Sequence, residues 1–237
     1  MVSYRSAAVV AATVVRPLRR GEAGMAGEVL ADSHADYPSF AHVFPDPSRR
    51  REILRSLFAG VARDAVPFGT VDGAWVGPRM VGVAVWLPPG AFPWSAARKV
   101  RATPIFLPVA WRAPTRARGF FALGANAERA FPADAPHWYL EVLGVRADAQ
   151  GQGLGRRLLQ AGLARVDASG VAGYLETADH ANLAFYEGFG FTFERELQLV
   201  PGGPPHWAMR RPATGRGADG ADPARAGRVT DEPEVRS

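Results

Sequence analysis

The chain of 237 residues contains no cysteine. Disulfides, thiolate metal sites and a cysteine nucleophile are thereby excluded, and a reducing compartment, the cytoplasm, is the expectation. The five histidines are scattered without metal-ligand spacing, so no metal is expected. Lysine is nearly missing: Lys99 stands alone, and every other basic residue is arginine, a bias that says little about function. No apolar run approaches the roughly 18 residues of a membrane span. The basic residues form no long block of the kind that binds nucleic acid. Neither a membrane nor a nucleic acid is an expected partner, although a net charge of +5 and a pI of about 10.2 favour any polyanion, a polyphosphate cofactor included.

What is present is a globular composition, 47% hydrophobic and 22% charged. Arg5 and the apolar "SAAVVAATVV" superficially resemble a secretion signal, but "RPLRR" follows at once, and a strand over 11–18 is the better reading. The pattern predicts a helix over 21–33 broken before Pro38. A second helix is predicted over 46–66, capped by Ser48, with an apolar stripe of Ile53, Leu54, Leu57 and Val61. Paired strands follow over 68–76 and from 79 to the Pro88-Pro89 stop. Further on come a strand over 137–145, a helix over 153–170, a strand over 171–177, a short helix over 179–190 and a closing antiparallel pair. Residues 1–9 read as loose, 10–211 as one catalytic unit and 212–237 as a disordered tail.

Residues 90–135 are the least regular. Seven basic and two acidic residues are interleaved with Trp94, Phe106, Trp111, Phe120, Phe121 and Phe131. The expectation is a pair of helices over the sheet with these aromatics inward, or a substrate lid. A membrane-interface helix is set aside because Pro93, Pro104, Pro108 and Pro114 should interrupt it.

The stretch "AQGQGLGRRLLQAGL" (149–163) places Gly151, Gly153 and Gly155 where a helix must begin. Glycine weakens a helix, so its use there calls for a compensating gain. Free N–H groups at a helix start bind anions, and glycine lets a phosphate approach the backbone. Arg156 and Arg157 add charge. The Gly-Lys-Ser/Thr ending of a P-loop is absent, and Gly-x-Gly-x-Gly is not the dinucleotide spacing. A plain tight turn with close helix packing remains open on the glycines alone.

The surroundings narrow the choice. Gln150-x-x-Gly153-x-Gly155 after "LEVLGV" resembles the acyl-coenzyme A signature of the GNAT superfamily of N-acetyltransferases, and "LETADHANLAFYEGFGF" resembles that family's later region. With "ADYP", "VAVWLPPG", "GVRADAQGQGLG" and "HWAMRRP" in order over about 20–212, the likeness is closest to the puromycin N-acetyltransferase branch.

That resemblance implies an α/β fold with a mixed, mostly antiparallel sheet, helices on both faces and splayed central strands. It implies acetyl-CoA as cosubstrate and direct acetyl transfer to the primary amine of a small molecule, with antibiotic-like amines among the candidates, by a monomer or homodimer. A peptide N-acetyltransferase and a non-catalytic coenzyme A-binding module are the alternatives. Leu143, Gly144 and Val145 would pair with pantetheine and offer an N–H to the oxyanion. Gln150, Gly151, Gln152, Gly153, Leu154, Gly155 and Arg156 would hold the pyrophosphate. Tyr186 matches the acid that protonates the thiolate, and Glu176 matches the base. Glu141 is the rival base and is otherwise placed among the substrate-binding residues, against a reading as a solvated strand residue. Asn182 matches a cofactor contact, against helix capping. Tyr37 would line the acceptor pocket. His137 and His180 are given no role.

Overall fold

β-branched and aromatic residues recur in the predicted strands, and the computed structural model, which describes residues 13–214, contains seven of them. They are β1 (Thr13–Pro17), β2 (Val71–Val76), β3 (Arg79–Leu87), β4 (His137–Val145), β5 (Ala172–Thr177), β6 (Thr192–Leu197) and β7 (His206–Arg211). One sheet holds them in the order β1-β2-β3-β4-β5-β7-β6. The β4–β5 pair is parallel and the other neighbours are antiparallel, the mixed sheet the motifs imply. The expected loose N-terminus, the first residues of the expected first strand and nearly all of the expected tail lie outside the described residues.

Among the described residues, seven α-helices cover the sheet: α1 (Ala23–Ser33), α2 (Pro38–Val43), α3 (Pro47–Ala65), α4 (Ala96–Arg112), α5 (Pro114–Ala130), α6 (Leu154–Ser169) and α7 (Leu183–Glu187). Val83, Val85 and Leu87 of β3 face a core built with α1, α3, α4 and α5, while Val81, Ala84 and Trp86 face α6 and α7. From Val83 to Leu87 the period of two thus supplies both layers, while Val81 is the extra residue of a bulge opposite Ala74 and Trp75. None of the described helices is long and apolar enough to cross a membrane.

Three local expectations are corrected. Asp46, not Ser48, caps α3: its carboxylate accepts from Arg49 N–H at 2.9 Å, and Pro47 opens the helix with its fixed φ. Pro104 and Pro108 lie inside α4 rather than ending it. Pro104 and Val100, whose carbonyl lacks its usual N–H donor from residue 104, are both on the exposed side of the helix. The aromatics of this segment are not all inward: Phe120 is buried, but Trp111 is 87% and Phe121 45% exposed.

The sheet opens at one place. β4 pairs with β5 over three residues only, His137–Tyr139 against Ala172–Tyr174. Immediately after, β4 carries a bulge: Trp86 of β3 faces Leu140 and Val85 faces Val142, so Glu141 is the extra residue. A bulge bends its strand and increases twist. Beyond it residues 140–145 diverge from β5, while Leu175–Thr177 stay paired to β7. This is the splay the motifs imply, with a local cause.

Candidate active site

A cavity of about 520 Å³ lies on the α1–α5 face, where the two strands part. Leu140–Leu143 of β4 line one side and Leu175–Thr177 of β5 the other. Of the predicted residues, Tyr37, Glu141, Leu143, Glu176, Asn182 and Tyr186 all line it.

Glu176 reaches the cavity because β5 alternates: Tyr174 and Glu176 share a face, opposite Leu175. Its Oε2 accepts a hydrogen bond from the Tyr139 hydroxyl at 2.8 Å, and its Oε1 is buried without a partner. Burial raises its pKa from 4.5 to about 7, against the lowering pull of Tyr139. Glu141 is not a solvated strand residue. Two residues along β4 from Tyr139, it lines the same cavity, its Oε2 is buried without a partner, and desolvation lifts its pKa to about 7 despite the nearby Arg98 guanidinium. Two carboxylates that titrate near neutrality therefore flank the opening, both able to hold or take a proton.

Tyr186 belongs to α7 and packs edge-on against Phe185 and Phe191. Burial pushes its hydroxyl well above the ordinary range, so it stays protonated. Tyr37 has a second task besides lining the cavity. Its hydroxyl accepts from Ala178 N–H at 2.5 Å and donates to Thr177 Oγ1 at 3.3 Å, tying the α1–α2 connection to the end of β5. Asn182 does not cap α7 with its side chain; Asp179 accepts from Ala181 N–H at 3.0 Å, and Asn182 Nδ2 donates to Thr177 Oγ1 at 3.3 Å.

On the other side of the splay, Leu143, Gly144 and Val145 are paired to β3 through Ala84, Val83 and Gly82, and their opposite edge has no strand partner. Gly144 faces α1, where an added Cβ would collide with Ser33 Oγ. The loop that follows folds back on the strand, with Gln150 Nε2 donating to Val145 O at 3.0 Å. Gly151 (φ 72°) and Gly153 (φ 75°) take the left-handed conformation that side chains resist. Gly153 is the N-cap of α6, with no side-chain cap and no acidic residue in the first turn, so the leading N–H groups are open to an anion. Gly155 already lies inside the helix with ordinary clearance, so its use is not conformational. Arg156 stacks on Phe189 at 4.8 Å, while Gln152 Oε1 is buried without a partner. An unpaired strand edge running into an uncapped helix start fits an extended amide chain ending in a pyrophosphate.

His137 is buried among Phe131 and Tyr174, away from the groups above, and His180 packs edge-on against Trp207. Sequence reasoning missed Tyr139, whereas the α4–α5 wall corresponds to the helix pair or lid expected over 90–135. The pairing of Tyr139 with Tyr174, each two residues before a cavity glutamate, was the available signal. Among the described residues, no cluster has metal-binding composition.

The model of the Acetyltransferase (GNAT) family matches residues 48–191. The crystal structure of a histone acetyltransferase and related acetyltransferase from Corynebacterium glutamicum is 26% identical, with a TM-score of 0.62, over 85% of this chain and 97% of that one. The polyamine N-acetyltransferase of Drosophila melanogaster has the same fold at 21% identity and a TM-score of 0.51, over 84% and 98%. So does the PaiA N-acetyltransferase of Thermoplasma acidophilum, solved with coenzyme A, at 10% identity and a TM-score of 0.52, over 84% and 98%.

Proposed function

The chain belongs to the GNAT family of acetyltransferases, and on that premise we propose that it transfers acetyl from acetyl-CoA directly to the primary amine of a small molecule. One observation carries this reading: the unpaired edge of β4 and the cavity meet where β4 and β5 part, with Glu176 and Tyr186 on the cavity wall. A cavity of about 520 Å³ suits a small molecule better than an extended peptide, and the motif likeness to the puromycin branch points the same way.

In this reading acetyl-CoA supplies the activated acyl group. Its pantetheine lies along Leu143–Val145, and its pyrophosphate meets the N–H groups after Gly151 and Gly153, with Arg156 nearby. Glu176 takes one proton from the acceptor ammonium. The neutral nitrogen then bonds to the acetyl carbon as the carbon–sulfur bond breaks, with an N–H of the 143–145 edge facing the carbonyl oxygen. Tyr186 gives its proton to the departing sulfur and regains one from the acetylated nitrogen. The proton on Glu176 leaves to water, which balances the step. No covalent enzyme intermediate is needed, in keeping with the absence of cysteine.

The test is thiol release from acetyl-CoA across small amines, lysine peptides and peptides with free N-termini. Acetylation of small amines is the expected result. Activity on peptides alone overturns the acceptor class, and coenzyme A binding without turnover on any acceptor overturns transfer.

A further inference from the structure

The cavity is unevenly furnished. Phe40, Phe58, Phe92, Trp94, Phe106 and Phe120 all line it, drawn from the α1–α5 face. All but Phe92 touch another of these rings: Phe40 lies edge-on to Phe58 at 5.7 Å, Trp94 lies 5.9 Å from Phe106, and Phe106 lies 6.1 Å from Phe120. Together they wall one aromatic compartment in three groups, with Phe92 set apart from the others against Tyr139 at 4.6 Å.

Charge is confined to its edges. Glu141 and Glu176 stand together at the splay, both acting on the Tyr139 hydroxyl between them. Lys99 and Glu128 also line the cavity, but they neutralise each other across α4 and α5 at 2.5 Å. His34 and His206 are held near pKa 4 by burial and are neutral. Behind the wall Arg98 is paired with Asp64 and stacked on Trp94 at 4.4 Å. The aromatic compartment therefore offers no unpaired carboxylate to a second ammonium, and it places a guanidinium behind the ring that such an ammonium would approach.

This inference rests on the reading of the chain as an amine acetyltransferase and goes further. We propose that the acceptor is a primary monoamine with a bulky aromatic or alicyclic body. Its ammonium sits between Glu141 and Glu176, and its body fills the aromatic compartment under α4 and α5. Polyamines and peptide lysines are poor acceptors, because their distal polar groups would be buried without partners. Glu141 holds the ammonium and Glu176 deprotonates it, so the two carboxylates have different roles.

The test is calorimetric binding to the full chain with coenzyme A present, using 2-naphthylmethylamine, 4-phenylbutylamine, agmatine, spermidine and a lysine peptide. Transfer from acetyl-CoA is measured alongside. The aryl amines are expected to bind at least roughly tenfold more tightly than agmatine, spermidine or the peptide. Phe121→Ala removes a half-exposed cavity ring without disturbing the core. It should weaken the aryl amines by several-fold and leave agmatine unchanged, whereas Glu141→Gln should weaken every amine. Equal or tighter binding of agmatine, spermidine or the peptide overturns the proposal, whether or not acetyl is transferred. Tight aryl-amine binding without transfer to any amine supports it and overturns the acetyl-transfer reading instead.

Discussion

Tyr139 donates its hydroxyl to Glu176 Oε2 at 2.8 Å, leaving the other carboxylate oxygen buried and free of partners. The two residues sit on neighbouring parallel strands, at the last point where those strands are close. The bond orients the carboxylate and favours its charged form, while burial opposes it, and burial wins: the pKa stands at about 7.

A base with that pKa gives kcat/KM a rising limb that levels off above about pH 7. Glu176→Gln should lower kcat by roughly 10²–10⁴-fold and leave only the limb set by ionisation of Glu141. Tyr139→Phe removes a bond to the charged form, so the limb should move to higher pH with a smaller loss of kcat. A limb unmoved in Tyr139→Phe would show that Glu176 is not the titrating base.

The same carboxylate should cost stability. The folded pKas of Glu176 and Glu141 lie above their unfolded values, so the neutral forms favour the fold. Their stabilising contribution is complete below about pH 4.5 and is lost as pH rises through about 7. His34 and His206, held near 4, act in the opposite direction between pH 6.5 and 4, so the variant difference is the clean measurement. Glu176→Gln should match the parent in Tm at pH 4.5 and exceed it at pH 8 by several degrees, on the order of 2 kcal/mol. A Tm difference independent of pH would contradict this linkage.

Tyr186 stays protonated at neutral pH and so is equipped to donate. Tyr186→Phe keeps the ring packing against Phe185 and Phe191 and deletes only the hydroxyl. It should lower kcat by roughly tenfold or more without changing coenzyme A affinity. Unchanged kcat would remove Tyr186 from the chemistry.

The glycines of the loop separate by role. Gly153→Ala forces a side chain into a left-handed N-cap and should cost about 1–2 kcal/mol of stability. Gly155→Ala, inside α6 with Phe185 and Val145 at ordinary distances, should leave Tm equal or slightly raised. If phosphate approaches the backbone there, the KM for acetyl-CoA should nevertheless rise in Gly155→Ala. An unchanged KM would confine the cradle to Gly151 and Gly153.

Most of the element order was legible from periodicity and turn residues, because strands and amphipathic helices declare themselves locally. The glycine loop and Glu176 were legible through motifs. The prolines of α4 misled, because the sequence does not reveal that Val100 and Pro104 would both lie on the exposed side of the helix. Glu141 was already a candidate, and alternation puts it on the face of Tyr139; what stayed hidden was its burial beside a bulge, which depends on the register with β3. Tyr139 and Glu176 lie 37 positions apart, and only the parallel register brings them together.

Gly162 sets how closely α6 approaches the sheet. In an isolated helix Gly→Ala gains about 0.5–1 kcal/mol. Here a Cβ would collide with the indole of Trp86, which is fully buried and cannot retreat. Overpacking of that kind costs about 1–3 kcal/mol or more, so the collision outweighs the propensity gain. Gly162→Ala should lower Tm by several degrees and change Trp86 fluorescence. Because α6 also presents the loop to the splayed edge of β4, the KM for acetyl-CoA should rise with it. A Tm equal to or above the parent would mean that the helix can shift outward freely and that this contact does not fix the loop.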